Sequence, residues 1–269
     1  MGDYICNENT IFAKKAKQIR KRRINISMET LNLSKKLCLL GEFLFPLNCA
    51  ACGGTLLSEE EAWIGLCGEC AESFPLKSEK RCAVCGRPLI SELEVCMNCR
   101  KNAENAYDSM TLLYPYTGRE QQVLKAYKFG KHRSLARFFS EKILYAMNGL
   151  RAGKALPLEV PWIPVPPRAG KLKTAGWDQV ELIAQTLENL YHVPVLRCLK
   201  RLASKTQKKL GKSERMTNLK GRIICSGEAP EEAIVFDDVF TTGSTMKVCA
   251  EALKSAGSKR IHGVCLFYG

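Results

Sequence analysis

At 269 residues the chain is long enough to bury one large core or two unequal ones, and with 46% hydrophobic and 25% charged side chains a soluble, globular protein is expected. The formal charge of +14 predicts a surface that attracts phosphate esters or nucleic acid at low salt, without choosing between a small phosphorylated ligand and a polymer. The first long apolar run, "LCLLGEFLFPL" at 37–47, is interrupted by Glu42 and Pro46, is too short to span a bilayer and is followed by no small-residue cleavage site; a cytoplasmic protein with reduced thiols is expected.

Residues 1–36 read as a basic extension. Lys14, Lys15, Lys17, Arg20, Lys21, Arg22 and Arg23 cluster just before Met28, and the extension is expected to be disordered or a mis-start, with Met28 the alternative first residue.

Residues 37–104 carry eight of the fourteen cysteines as four CxxC pairs: Cys49/Cys52, Cys67/Cys70, Cys82/Cys85 and Cys96/Cys99. "CAACGG" and "CAVCGR" each open a unit that "LCGEC" and "VCMNC" close, the pattern of a duplicated ribbon. Each CxxC turn offers two thiolates to one ion, and two turns complete a tetrahedral S₄ shell that suits zinc. A module this small buries too little apolar surface to stand alone, and a structural metal adds on the order of 10 kcal/mol per site. A double zinc ribbon with two Zn²⁺ sites is therefore expected. Sequential pairing within each unit is favoured over interleaving, and an iron–sulfur cluster is the alternative. Cys6, Cys38, Cys198, Cys225, Cys249 and Cys265 are scattered; those in apolar runs read as small core residues.

From about residue 105 to 269 strands alternate with helices. "SMTLLYPY" (109–116) predicts a strand, and the segment from Arg119 to Met147 one or two helices broken near Gly130. "VPWIPV" (160–165) predicts a buried strand, 177–191 an amphipathic helix, "VPVLRCL" (193–199) another strand. "AIVFDD" (233–238), a helix over 245–257 stopped at Gly257, and "RIHGVCLFY" (260–268) complete the series. This alternation predicts an α/β fold: a parallel sheet with helices on both faces, ligands binding beyond the carboxyl ends of the strands.

One such end is "VFDDVFTTGSTM" (235–246). Asp237 and Asp238 are expected at the strand's end, with Thr241, Thr242, Gly243, Ser244 and Thr245 turning into a helix so that main-chain N–H groups and hydroxyls surround an anion. An acidic pair beside a phosphate cradle suits a ribose 5-phosphate, the carboxylates accepting from the ribose hydroxyls. Two basic segments agree. "PVPPRAGKLKTAGWDQ" (164–179) carries Arg168, Lys171 and Lys173 as candidates for a pyrophosphate loop, and Lys200 to Arg222 holds nine basic residues against Glu214.

The stretch 235–246 resembles the 5-phosphoribosyl-1-pyrophosphate (PRPP) motif of type I phosphoribosyltransferases. Together with "IPVPP" (163–167), "AGWDQ" (175–179), "RLASKTQKKLGKSERMTN" (201–218) and the cysteine ribbons, it makes residues 37–269 resemble the ComF family. Ala175 stands where that family's signature usually has Arg, and Asp178 where Asn is common. The resemblance implies a type I phosphoribosyltransferase-like domain behind a double zinc ribbon, and a role in natural competence or DNA utilisation. The partners it implies are PRPP or a nucleotide, single-stranded DNA and a competence helicase. A working nucleobase phosphoribosyltransferase, using Mg²⁺ with PRPP, and a non-catalytic PRPP sensor are the alternatives; no catalytic residue and no base-recognition hood is identifiable.

Overall fold

The computed structural model describes residues 47–76, 79–90, 93–101, 106–130, 132–152, 159–168, 170–171, 175–202 and 223–269. The basic extension, the boundary expected at 104/105, Lys173, and residues 203–222 of the second basic segment lie outside them.

Among the described residues, three short helices belong to the cysteine-rich region: α1 (Glu59–Ile64), α2 (Gly68–Glu72) and α3 (Met97–Lys101). There follow β1 (Ser109–Pro115), α4 (Gly118–Phe129), α5 (Leu135–Ala152), β2 (Trp162–Pro164), α6 (Gln179–Tyr191), β3 (Leu199–Arg201), β4 (Ile223–Cys225), β5 (Glu232–Phe240), α7 (Ser244–Ser255) and β6 (Arg260–Tyr268). Four strands form one sheet in the order β1-β6-β5-β2, every neighbouring pair parallel, while β3 and β4 form a separate antiparallel pair. The fold is α/β with a four-stranded parallel sheet.

The central strands have no polar face. Ala233, Ile234, Val235 and Phe236 are all buried, as a parallel strand covered on both sides requires. Ile234 and Phe236 join Trp162, Val264 and Leu266 in a cluster with α4, α5 and α6; Ala233 and Val235 join Ile163, Ile261 and Cys265 in a second cluster with α7, β3 and β4. Helix α6 buries Val180, Ile183, Ala184 and Leu187, one stripe at helical spacing. The break expected near Gly130 falls between Phe129 and Leu135. Cys198, Cys249 and Cys265 are buried core residues; Cys225 is only partly so.

One predicted strand is shifted: of 193–199 only Leu199 lies in a strand, the start of β3. Over 193–199, only Val195 bridges to the edge strand, at Trp162. Pro194 has no N–H to give a ladder, and Leu196 and Arg197 are exposed, so the run caps the sheet edge through two main-chain bonds, Trp162 N–H to the Pro194 oxygen (2.8 Å) and Leu196 N–H to the Trp162 oxygen (2.8 Å). Strand β5 in turn runs past the acidic pair to Phe240.

The ribbons pack on this sheet, and Asn48–Gly269 forms one compact unit. Leu66 and Phe74 enter the α4–α6 cluster, where the Phe74 ring stacks edge-on against Tyr114 (5.6 Å between centroids) and Phe138 (5.7 Å). Among the described residues no helix is long and apolar enough to cross a membrane.

Candidate functional site

The two cysteine units repeat the same backbone construction. Gly53 N–H donates to the Cys49 oxygen and Gly86 N–H to the Cys82 oxygen, each at 2.9 Å, with Gly53 and Gly86 both left-handed (φ 77° and 68°). Such a turn needs glycine, because an L side chain rarely adopts that backbone. Antiparallel bridges Asn48–Thr55 and Arg81–Pro88 close the two knuckles in the same way.

The thiols gather within each unit. Cys49, Cys52, Cys67 and Cys70 form one group, Cys82, Cys85, Cys96 and Cys99 the other, the sulfurs of each within 4.8 Å of one another. Cys52 and Cys67 Sγ lie 3.9 Å apart, and Cys85 and Cys96 Sγ 3.8 Å. A tetrahedral S₄ shell with zinc–sulfur bonds near 2.3 Å has edges of about 3.8 Å, so the donors already hold that geometry. Burial opposes ionisation, yet main-chain N–H donors of Cys52, Cys67 and Ala51 bring the Cys49 thiol down to about 7, and those of Cys96, Cys85 and Val84 bring Cys82 to about 6. Burial and the neighbouring sulfurs push Cys70 and Cys99 the other way. Four thiolates repel one another unless a dication sits among them. The eight cysteines support zinc at two closed sites with no open coordination position, a structural rather than catalytic arrangement.

The expected anion loop lies between β5 and α7. After β5, Thr241 and Thr242 lead to Gly243, left-handed at φ 76°, and α7 begins at Ser244. Gly243 brings no side chain to the N-cap of α7; Thr242 Oγ1 accepts from the Ser244 N–H at 3.3 Å, and among the described residues no side chain takes the next N–H groups of the first turn, which can meet an external acceptor. Thr242 and Ser244 hydroxyls lie 2.8 Å apart at the helix mouth. At Gly243 a Cβ would stand 2.8 Å from Cζ of Phe240, so glycine is required there by its φ and by that ring.

The acidic pair sits within β5 rather than beyond it, and its members face different neighbours. Asp238, 8% exposed, receives Nε2 of Gln179 at 2.6 Å and Nζ of Lys128 at 2.9 Å, both on its Oδ2. Gln179 Oε1 in turn accepts from Lys171 Nζ, which also contacts Asp178 Oδ2 at 2.6 Å. Asp178 uses Oδ1 to cap α6 through the N–H groups of Val180 (2.9 Å) and Glu181 (3.0 Å). Asp237 Oδ1 accepts from the Asp238 N–H at 2.8 Å. Burial, then the Asp238 charge, push the Asp237 carboxyl up to about 7, against the pull of Lys128. On that side Arg201 is half-buried, its Nε without a hydrogen-bond partner among the described residues. Burial lowers its guanidinium from the ordinary value; Cys249 and Asp237 oppose that effect and Arg168 adds to it.

The structure thus joins Lys171, Asp178, Gln179, Asp238 and Lys128 into one chain of contacts beside the loop, while Arg168 is exposed. Lys128 was missed from sequence, and Gln179 and Arg201 were given no role of their own. "AGWDQ" already marked Gln179; nothing local marked Lys128.

Residues 40–100 match the family model of the double zinc ribbon domain. The chain is 28% identical over 223 residues to "Competence protein F" of Haemophilus influenzae, covering 81% of this chain and 95% of that protein. It is 25% identical over 233 residues to "Competence protein ComFC" of Bacillus subtilis (84% and 91%), and 24% identical over 220 residues to "DNA utilization protein YhgH" of Escherichia coli (75% and 96%). Likeness to competence proteins running along most of its length, with a matching ribbon at its N-terminal side, supports placing the chain in the ComF family.

Proposed function

We propose that this protein acts in DNA uptake or DNA utilisation, as the names of its relatives suggest, and that the Thr241–Thr245 loop with Asp237 and Asp238 binds PRPP or a nucleotide phosphate. The observation that carries the reading is the start of α7, a helix of 12 residues whose N-cap Gly243 brings no side chain, with the Thr242 and Ser244 hydroxyls 2.8 Å apart at its mouth and the Asp237–Asp238 pair, half-buried and buried, on the strand just before it. The helix end favours a phosphate; the carboxylates suit ribose hydroxyls. Lys171 and Arg168 stand near enough in sequence to the network to meet a pyrophosphate. The charge of +14 favours single-stranded DNA as a partner.

Calorimetry with PRPP and Mg²⁺ on wild type, Asp237→Asn and Asp238→Asn tests this. Each change keeps the shape and removes a charged acceptor, weakening binding by about 1.5–3 kcal/mol. A wild type that does not bind PRPP, or variants that bind it equally well, would defeat the reading.

A further inference from the structure

The two knuckles differ at one position that the duplication makes comparable. After the left-handed glycine, the first unit continues with Gly54 and the second with Arg87. Arg87 reaches out of the ribbon. Its Nη2 donates to the main-chain oxygens of Thr241 (2.5 Å) and Gly269 (3.0 Å), and its guanidinium lies over the Phe240 ring, 5.7 Å from the centroid. The same ring is what a Cβ at Gly243 would strike, with the Tyr107 hydroxyl 3.7 Å from that point. Val84, from the same knuckle, packs into the cluster that holds Tyr107 and Phe240.

Arg87 has little freedom to be elsewhere. Its own oxygen accepts from Cys82 N–H at 2.9 Å, and Gly86 abuts β1 so closely that a Cβ would lie 2.2 Å from the Met110 oxygen. The peptide unit is planar and trans, so holding the Thr241 oxygen toward the ribbon turns the Thr242 N–H to the opposite side. One guanidinium therefore sets the direction of a donor in the anion loop.

We propose that Arg87 is a positioning residue for the Thr241–Thr245 loop, and that through it the folding of the second cysteine knot, and not the first, tunes the loop's affinity for a phosphorylated ligand. The ligand part rests on the function proposed above; the mechanical coupling does not. By linkage, a ligand whose affinity depends on the folded second knot also raises that knot's affinity for its metal.

The experiment uses the full chain as Arg87→Gly, the residue the first knuckle tolerates at this place, and Arg87→Lys, with Arg137→Ala as a control on the first ribbon. Three quantities are read on each: zinc content, amide exchange over residues 241–247, and PRPP affinity. With zinc retained, Arg87→Gly should speed exchange in this segment and weaken PRPP by about tenfold or more; Arg87→Lys should recover part of both, and Arg137→Ala should change neither. Unchanged exchange at 241–247 in zinc-loaded Arg87→Gly and Arg87→Lys overturns the coupling. If wild type ignores PRPP, the functional reading falls while exchange still decides the coupling. Should Arg87→Gly fail to fold, the lysine variant carries the same decision.

Discussion

The two ribbons are built alike and used differently. The first is part of the wall of the main core: Cys49 and Cys70 belong to the same buried cluster as Phe74, Phe138, Tyr114 and Trp162. The second keeps its cysteines to itself, Cys82, Cys85 and Cys99 forming a small cluster of their own with Val84, Val95 and Cys96. It meets the α/β domain through Val84, Arg81 over the Tyr268 ring, and Arg87 at the anion loop. Duplication supplies two metal-held knuckles at once, but what each contributes depends on the face it lands on.

The largest effect should separate them by stability. Cys70→Ser removes a ligand whose site is continuous with the core, so the loss of a metal contribution on the order of 10 kcal/mol falls on the sheet itself. That variant should unfold at physiological temperature. Cys96→Ser, partly exposed in the second knot, should keep the sheet folded and reduce zinc from about two ions per chain to about one. Metal analysis and thermal melts on both variants check this; equal destabilisation would erase the distinction.

A middle-sized effect concerns pH, because the acidic pair divides as the ribbons do. Asp238 is held by Lys128 and Gln179 from the α4 and α6 side, whereas Asp237 lies in the field of Cys249 and Arg201 on the side of α7 and β3. The folded protein holds the Asp237 proton up to about pH 7, above the ordinary carboxyl value of 3.8. Between these values the native state binds more protons than the unfolded one, so stability from this group is present at low pH and lost as pH rises toward 7, by a few kcal/mol at most. On the proposed reading, ligand binding runs the other way: the ionised carboxylate would accept from ribose hydroxyls, so PRPP affinity should rise across the same window. Asp237→Asn should flatten both slopes. Melts and calorimetry at pH 5, 6, 7 and 8 decide it, and slopes that survive in the variant assign them to another group.

What could be read from sequence was local in every case. The CxxC spacing, the knuckle glycines and the run from β5 into α7 each lie within a dozen or so residues, and spacing alone encodes them. The network around Asp238 is not local: Gln179 is 59 residues from it, and Lys128 arrives from α4 across the sheet. The same limit explains 193–199, whose apolar residues suit a strand until Pro194 and the exposed positions of Leu196 and Arg197 show where the sheet ends. Arg87 was visible as "CGR" against "CGG", but only the fold reveals that its guanidinium ends on Thr241, 154 residues away.

The smallest expected effect is also the sharpest test of the division of labour. Arg137 on α5 lays its guanidinium 3.9 Å from the centre of the Trp63 ring and donates from Nη1 to the Trp63 oxygen at 3.0 Å. It is the first ribbon's counterpart of Arg87: a cation spanning ribbon and domain, but here the domain's arginine grips the ribbon, and it grips α1 far in sequence from any anion-loop residue. An exposed cation–π contact contributes about 0.5–1 kcal/mol and a hydrogen bond about as much. Trp63 is 44% exposed, which keeps the sum near the lower end. Arg137→Ala should therefore lower stability by about 1 kcal/mol, a shift of about 2–4 °C in Tm for a chain of this size. Zinc content and PRPP affinity should not move. A fall in affinity comparable to that of the Arg87 variants would mean that both ribbons reach the loop through general rigidity, and that the second has no special hold on it.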